Sequence, residues 1–166
     1  MVDAVVLAAA ESHEEGAVLA WLDSGGFIDA TFIWHGLPDM TLLGVAAATG
    51  GAGLVQSLLE RGADVNLRNG RGRSALALST HCFNPSILPS VPGAPPLPDH
   101  FLFSSAGDAD YVAVVEVLLH CGAEVNLLDL KGNSALAGAA LQGDLRMVDL
   151  LLTHGADCNL RCCRDY

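Results

Sequence analysis

The sequence predicts an all-α fold, a solenoid of helix–turn–helix units joined by short turn or hairpin fingers. Three observations carry that expectation. Segments 58–67 (LLERGADVNL), 118–127 (LLHCGAEVNL) and 151–160 (LLTHGADCNL) are copies of one another. A short Ala/Leu segment precedes each, and the step from Thr41 to Gly62 equals the step from Ser134 to Gly155. The chain is 51% hydrophobic but only 5% aromatic, with 18 Gly, so its apolar surface comes mainly from Ala, Leu and Val. Side chains of that size let helices approach closely. Self-similarity at a fixed period marks a repeat architecture, and stacking several helix pairs buries what one pair alone leaves exposed.

Each element follows from local chemistry. Thr41, Ser74 and Ser134 open the first helices, where a hydroxyl satisfies an orphan amide. Apolar pairs Leu54/Leu58, Val114/Leu118 and Met147/Leu151 give the second helices one buried face. Gly62, Gly122 and Gly155 stop those helices. A weaker first copy runs through Leu7–Ala10, Leu19–Leu22 and the turn 25–29. The uncharged stretch Met40–Leu59 is long enough for a membrane span, but its four Gly and the repeat alignment read it as two helices and a turn. The run Gly50–Gly53 is read as the inter-helix turn and not as a phosphate loop, because no Lys-Ser/Thr follows it.

These segments resemble the ankyrin repeat, whose pattern is G-x-T-P-L-H-x-A-A, a second helix, then L-L-x-x-G-A-D-V-N. The resemblance covers nearly the whole chain. The family's Pro is missing from every copy, and Gly44, Ala77 and Gly138 stand where its His would be. It implies an ankyrin-repeat solenoid with repeats at about 3–34, 35–67, 68–127 and 128–160 and a tail at 161–166. The third repeat carries a Pro-rich insertion at about 82–107. Proline excludes helix and inner strand there. The apolar residues in it, Phe101-Leu102-Phe103 among them, suit either a packed surface loop or a docking peptide.

Charge and cysteines bound the function. A formal net charge of -11 disfavours nucleic acid and anionic membrane, since phosphate binding needs many Lys and Arg. The five Cys are irregularly spaced and the start has no basic n-region, so reduced thiols and a cytoplasmic protein are expected, with the nucleus as the alternative. His81-Cys82 with His100 lacks a third orienting group for nucleophilic catalysis, and no enzyme is expected. His154, Cys158, Cys162 and Cys163 crowd the C-terminus. Cys158 fills the Val position of GAD-V-N, which is read as a buried slot, and no metal or other cofactor is expected. His120-Cys121 is read as a helix-end pair.

The resemblance implies a protein–protein interaction module, an adaptor or scaffold, whose partner touches the turn fingers and the inner-helix ends. In the first finger, Phe32, Ile33, Trp34 and Leu37 are apolar; Phe32, Trp34 and Leu37 are the candidate contacts. Trp34 is read either as an exposed anchor or as a cover over the divergent first repeat. The second finger offers Arg68, Arg71 and Arg73, read either as a fork for acidic groups or as solvated charge. Thr49, His81 and Gln142 on the first helices, and Lys131 in the following finger, complete the set. A monomer is expected, with association through an uncapped C-terminal repeat (Met147, Leu150, Leu151) as the alternative. A fragment of a larger array and an enzyme inhibitor are the other readings.

Overall fold

A computed structural model describes residues 4–80 and 110–160. Eight helices and one hairpin occupy these residues: α1 (Ala4–Glu11), α2 (Glu15–Asp23), β1 (Phe32–Trp34), β2 (Leu37–Met40), α3 (Leu42–Thr49), α4 (Ala52–Glu60), α5 (Ala75–Thr80), α6 (Tyr111–His120), α7 (Ala135–Gln142) and α8 (Leu145–Thr153). Odd- and even-numbered helices pair in order. The odd helices stack in one layer, α1 on α3 on α5 on α7, and the even helices in a second, α2 on α4 on α6 on α8. The insertion at about 82–107, with His81 and Cys82, lies outside the described residues, as do Cys162 and Cys163.

Hydroxyl and carboxylate caps set where helices begin. Thr41 Oγ1 accepts from Gly44 N at 3.0 Å, Ser74 Oγ from Ala77 N at 3.4 Å and Ser134 Oγ from Ala137 N at 3.1 Å. Asp110 and Asp144 do the same for α6 and α8. Gly62, Gly122 and Gly155 take φ of 88°, 86° and 86°, the left-handed backbone that ends a helix at little cost only for glycine. The turn between α3 and α4 is shorter than the sequence suggests. Only Gly50 and Gly51 form it, and Ala52 already belongs to α4.

Small residues in the inner layer have a packing reason. From Leu42 to Ala48, every α3 residue is buried, because α3 touches α1, α4 and α5. A Cβ on Gly44 would sit 3.3 Å from Leu78 Cδ1 of α5, so the absent family His leaves room for Leu78.

Polar clamps join successive units. Asn66 Oδ1 accepts from Glu124 N at 2.8 Å while its Nδ2 donates to Gly122 O at 3.4 Å. Asn126 repeats this on Asp157 N at 2.8 Å and Gly155 O at 3.1 Å. Asp29 accepts from Asp64 N at 3.1 Å. Asn66 and Asn126 therefore each hold the turn of the next unit.

The last unit corrects two expectations. Met147 and Leu151 are already buried against α6 and α7; the uncovered apolar groups are Leu141 and Leu145, both 80% exposed, and Leu152. Cys158 is exposed and not buried, whereas Val65 and Val125 at the same repeat position are half-buried. That slot is covered only by a following unit. Among the described residues, no helix is long and apolar enough to cross a membrane.

Candidate functional site: the finger ridge

The first finger is a hairpin closed by His35 and Gly36, with φ of 45° and 78°. Two successive left-handed residues give the tight turn that matches strand twist. Phe32 pairs with Met40 and Trp34 with Leu37 in antiparallel register, with an irregularity between Phe32 and Trp34. Alternation along β1 sends Trp34 inward, 2% exposed, and Ile33 outward, 74% exposed. Trp34 Nε1 donates to Glu11 Oε1 at 2.6 Å, and His35 Nε2 lies 3.0 Å from the same oxygen. Leu37 is 1% exposed and Phe32 half-buried.

This corrects the reading of Trp34 and Leu37 as contact residues. Both belong to the core, where the indole ring covers the first unit and Glu11 satisfies its N–H. Ile33 is the apolar group this finger presents.

The second finger is organised by Asn69, which is buried. Its Oδ1 accepts from Arg71 N and Arg73 N, both at 3.0 Å, and Gly72 N donates to Asn69 O at 2.7 Å. Asp129 plays the same part in the third finger. Its Oδ1 accepts from Lys131 N at 2.9 Å and Asn133 N at 2.8 Å, and Gly132 N donates to Asp129 O at 2.9 Å. Burial alone would raise the Asp129 pKa. Hydrogen bonds from Asn133, Lys131 and Arg73 outweigh burial and hold it below its ordinary value.

Neighbouring fingers are tied by one recurring bond. Gly70 N donates to Pro38 O at 2.9 Å, and Leu130 N donates to Arg71 O at 3.0 Å. Gly70 is required there: a Cβ would come within 2.6 Å of Pro38 Cγ.

The three arginines have different roles. Arg73 Nε bonds Asp129 Oδ2 at 3.2 Å in a largely buried pair. Arg68 Nε donates to Gly72 O at 2.8 Å, and its Nη2 donates to Leu128 O of the next finger. Arg71 is half-buried. Two of the three therefore brace the loops, and Arg73 is mostly withdrawn from solvent. Arg68 and Lys131 remain exposed.

On the inner helices, Thr49 Oγ1 donates to Val45 O at 3.0 Å and lies 2.9 Å from His13 Nε2, so it is already engaged within the fold. Gln142 and Leu141 are exposed at the end of α7. His81 lies outside the described residues.

The three linked fingers thus carry Ile33, Arg68, Leu130 and Lys131 as exposed side chains. Leu130, 75% exposed, escaped the sequence reading. The signal was its place beside Asp129, which matches Gly70 beside Asn69. Among the described residues, no three His, Cys, Asp or Glu side chains form a metal-binding group.

Comparison with known proteins agrees with this architecture. The family profile described as "Ankyrin repeat" matches residues 39–70, and "Ankyrin repeats (many copies)" matches residues 118–164. The chain is 32% identical over 161 residues to the zebrafish (Danio rerio) ankyrin repeat and SAM domain-containing protein 6, covering 91% of this chain and 21% of that protein. It is 58% identical over 41 residues to the chicken (Gallus gallus) nuclear factor NF-kappa-B p105 subunit, covering 25% of this chain and 4% of that protein. The chain therefore spans about a fifth or less of the length of these relatives. With its helices stacked in two layers and its Gly-Ala-acidic turns clamped in series, the chain belongs to the ankyrin-repeat family.

Proposed function

We propose that the chain is an adaptor or scaffold that grips a partner protein along the finger ridge. Ankyrin repeats are in general protein-binding modules without enzymatic activity. The observation that carries the finer reading is how the fingers spend their polar groups. Asn69, Asp129, Arg73 and Arg68 satisfy the loops from within, which leaves a rigid edge presenting Ile33, Leu130 and Lys131. Exposed apolar groups on a pre-ordered edge bind at low entropic cost, and Lys131 and Arg68 favour a partner with acidic residues beside its apolar ones. Gln142 and Leu141, exposed at the end of α7, are further contacts in this reading. The net charge of -11 argues against nucleic acid and anionic membrane as the target, and the thiol content favours the cytoplasm or nucleus. Occlusion of an enzyme by this ridge is one form the binding takes.

Photocrosslinking tests this reading. A photoreactive residue at position 33 or 130 captures the same protein from cell lysate, whereas one at position 116 on the outer layer does not. Equal capture at all three positions contradicts it.

A second reading, a segment of a larger repeat array, is favoured by Asn159. It sits where Asn66 and Asn126 clamp the following unit, and among the described residues its side-chain amide has no partner. Leu141 and Leu145 are uncovered on the same unit.

A further inference from the structure

Away from the fingers, two histidines on the outer layer are arranged in a way that protein binding along the ridge does not use. His120 ends α6 and His154 follows α8, and these helices pack on each other. Their ring centres are 6.0 Å apart, with the planes at 68°. His120 Nδ1 lies 2.7 Å from Glu116 O, and His154 Nδ1 lies 2.9 Å from Leu150 O. A carbonyl oxygen only accepts, so Nδ1 carries the proton in both rings. Each neutral imidazole then keeps its lone pair on Nε2.

That is the state a metal-ligating histidine needs. Its second nitrogen generally donates to a carbonyl or carboxylate, which fixes the tautomer and orients the ring. The span is within reach. An ion bonded at about 2.0–2.1 Å to an imidazole nitrogen lies roughly 3.2 Å from the ring centre, so two rings on one ion have centres about 5.2 Å apart at a tetrahedral angle and about 6.4 Å apart when collinear. The rings stand at 6.0 Å, and closing to the tetrahedral spacing takes a shift of less than about 1 Å between two exposed side chains. Both rings are exposed and sit at helix C-termini, whose free carbonyls favour positive charge.

We propose that His120 and His154 form a two-imidazole site for a borderline divalent transition ion such as Zn(II) or Ni(II), bridging α6 and α8. Imidazole selects these ions over Ca(II) and Mg(II). Water fills the remaining positions, so the site is open. Because it exists only when α8 is docked on α6, the bound ion stabilises the last helix pair. This pair differs from the C-terminal His/Cys crowd in the sequence, with which it shares only His154.

The test is calorimetric titration of the reduced protein with Zn(II) and with Ni(II), for wild type, His120→Ala and His154→Ala. His120→Gln and His154→Gln serve as second variants that keep a donor near the carbonyl. Circular dichroism verifies folding. Each substitution is expected to weaken both ions at least tenfold and to abolish the rise in melting temperature that the ion gives wild type. His100→Ala is expected to retain both. Unchanged affinity in either folded variant overturns the proposal. So does wild-type binding too weak to saturate below millimolar ion, or Zn(II) binding that survives both substitutions and therefore belongs to thiols.

Discussion

Trp34 Nε1 donates to Glu11 Oε1 at 2.6 Å, 23 residues away along the chain and buried beneath the first finger. That bond joins the hairpin to α1, so the finger's shape and the first unit's stability share one contact. Replacing Trp34 with Ala removes a buried ring and its N–H bond to Glu11, a loss of about 3–5 kcal/mol. Chemical denaturation followed by circular dichroism measures it. The same burial predicts that Trp34 fluorescence resists acrylamide; ready quenching in a Trp21→Phe background would place the ring outside.

The asparagine clamps predict a graded series. Asn126→Ala breaks two bonds to the last turn, but Asp157 and Gly155 are solvent-accessible, so water replaces part of what is lost. The expected cost is about 1–2 kcal/mol, concentrated in the last unit and visible as faster hydrogen exchange in α8. Asn159→Ala in the same chain should change stability by less than about 0.5 kcal/mol. Equal costs at the two positions would mean that the clamp is not what joins the units.

Asp129 predicts a pH dependence with a definite sign. Its folded-state pKa is lowered from the ordinary 3.8, so folding favours the ionised form. The stabilisation is present above 3.8 and is lost as pH falls through the lower folded value. Asp129→Asn keeps an acceptor for the Lys131 and Asn133 amides, as Asn69 does for its own loop, but it loses the Arg73 pair. The variant should be about 1–3 kcal/mol less stable at neutral pH, and the gap should shrink on acidification below 3.8. A gap that is constant with pH would show that the carboxylate charge contributes nothing.

What was legible in the sequence was local. The hydroxyl caps at Thr41, Ser74 and Ser134, and the left-handed glycines after the second helices, are fixed by backbone groups within a few residues. The finger was less legible. Whether Trp34 or Ile33 faces inward is a shift of one residue in a strand, and Glu11, a distant partner, decides it. Arg68 and Arg73 resembled a free basic cluster because their partners, Leu128 O and Asp129, belong to the next finger. Cys158 resembled a buried Val because that slot is covered only when another unit follows. The histidine pair was hidden by the repeat itself. In the alignment His120 matches Thr153 and Cys121 matches His154, so equal positions do not show the two rings meeting.

The ridge is the central claim, and one measurement bears on it most directly. The protein captured at positions 33 and 130 is purified and titrated against wild type and an Ile33→Asp/Leu130→Asp variant. Both side chains are exposed, so the melting temperature should hold while affinity falls at least tenfold, as truncated interface anchors require. Unchanged affinity in a variant that melts with wild type would contradict the account and move the binding surface off the fingers.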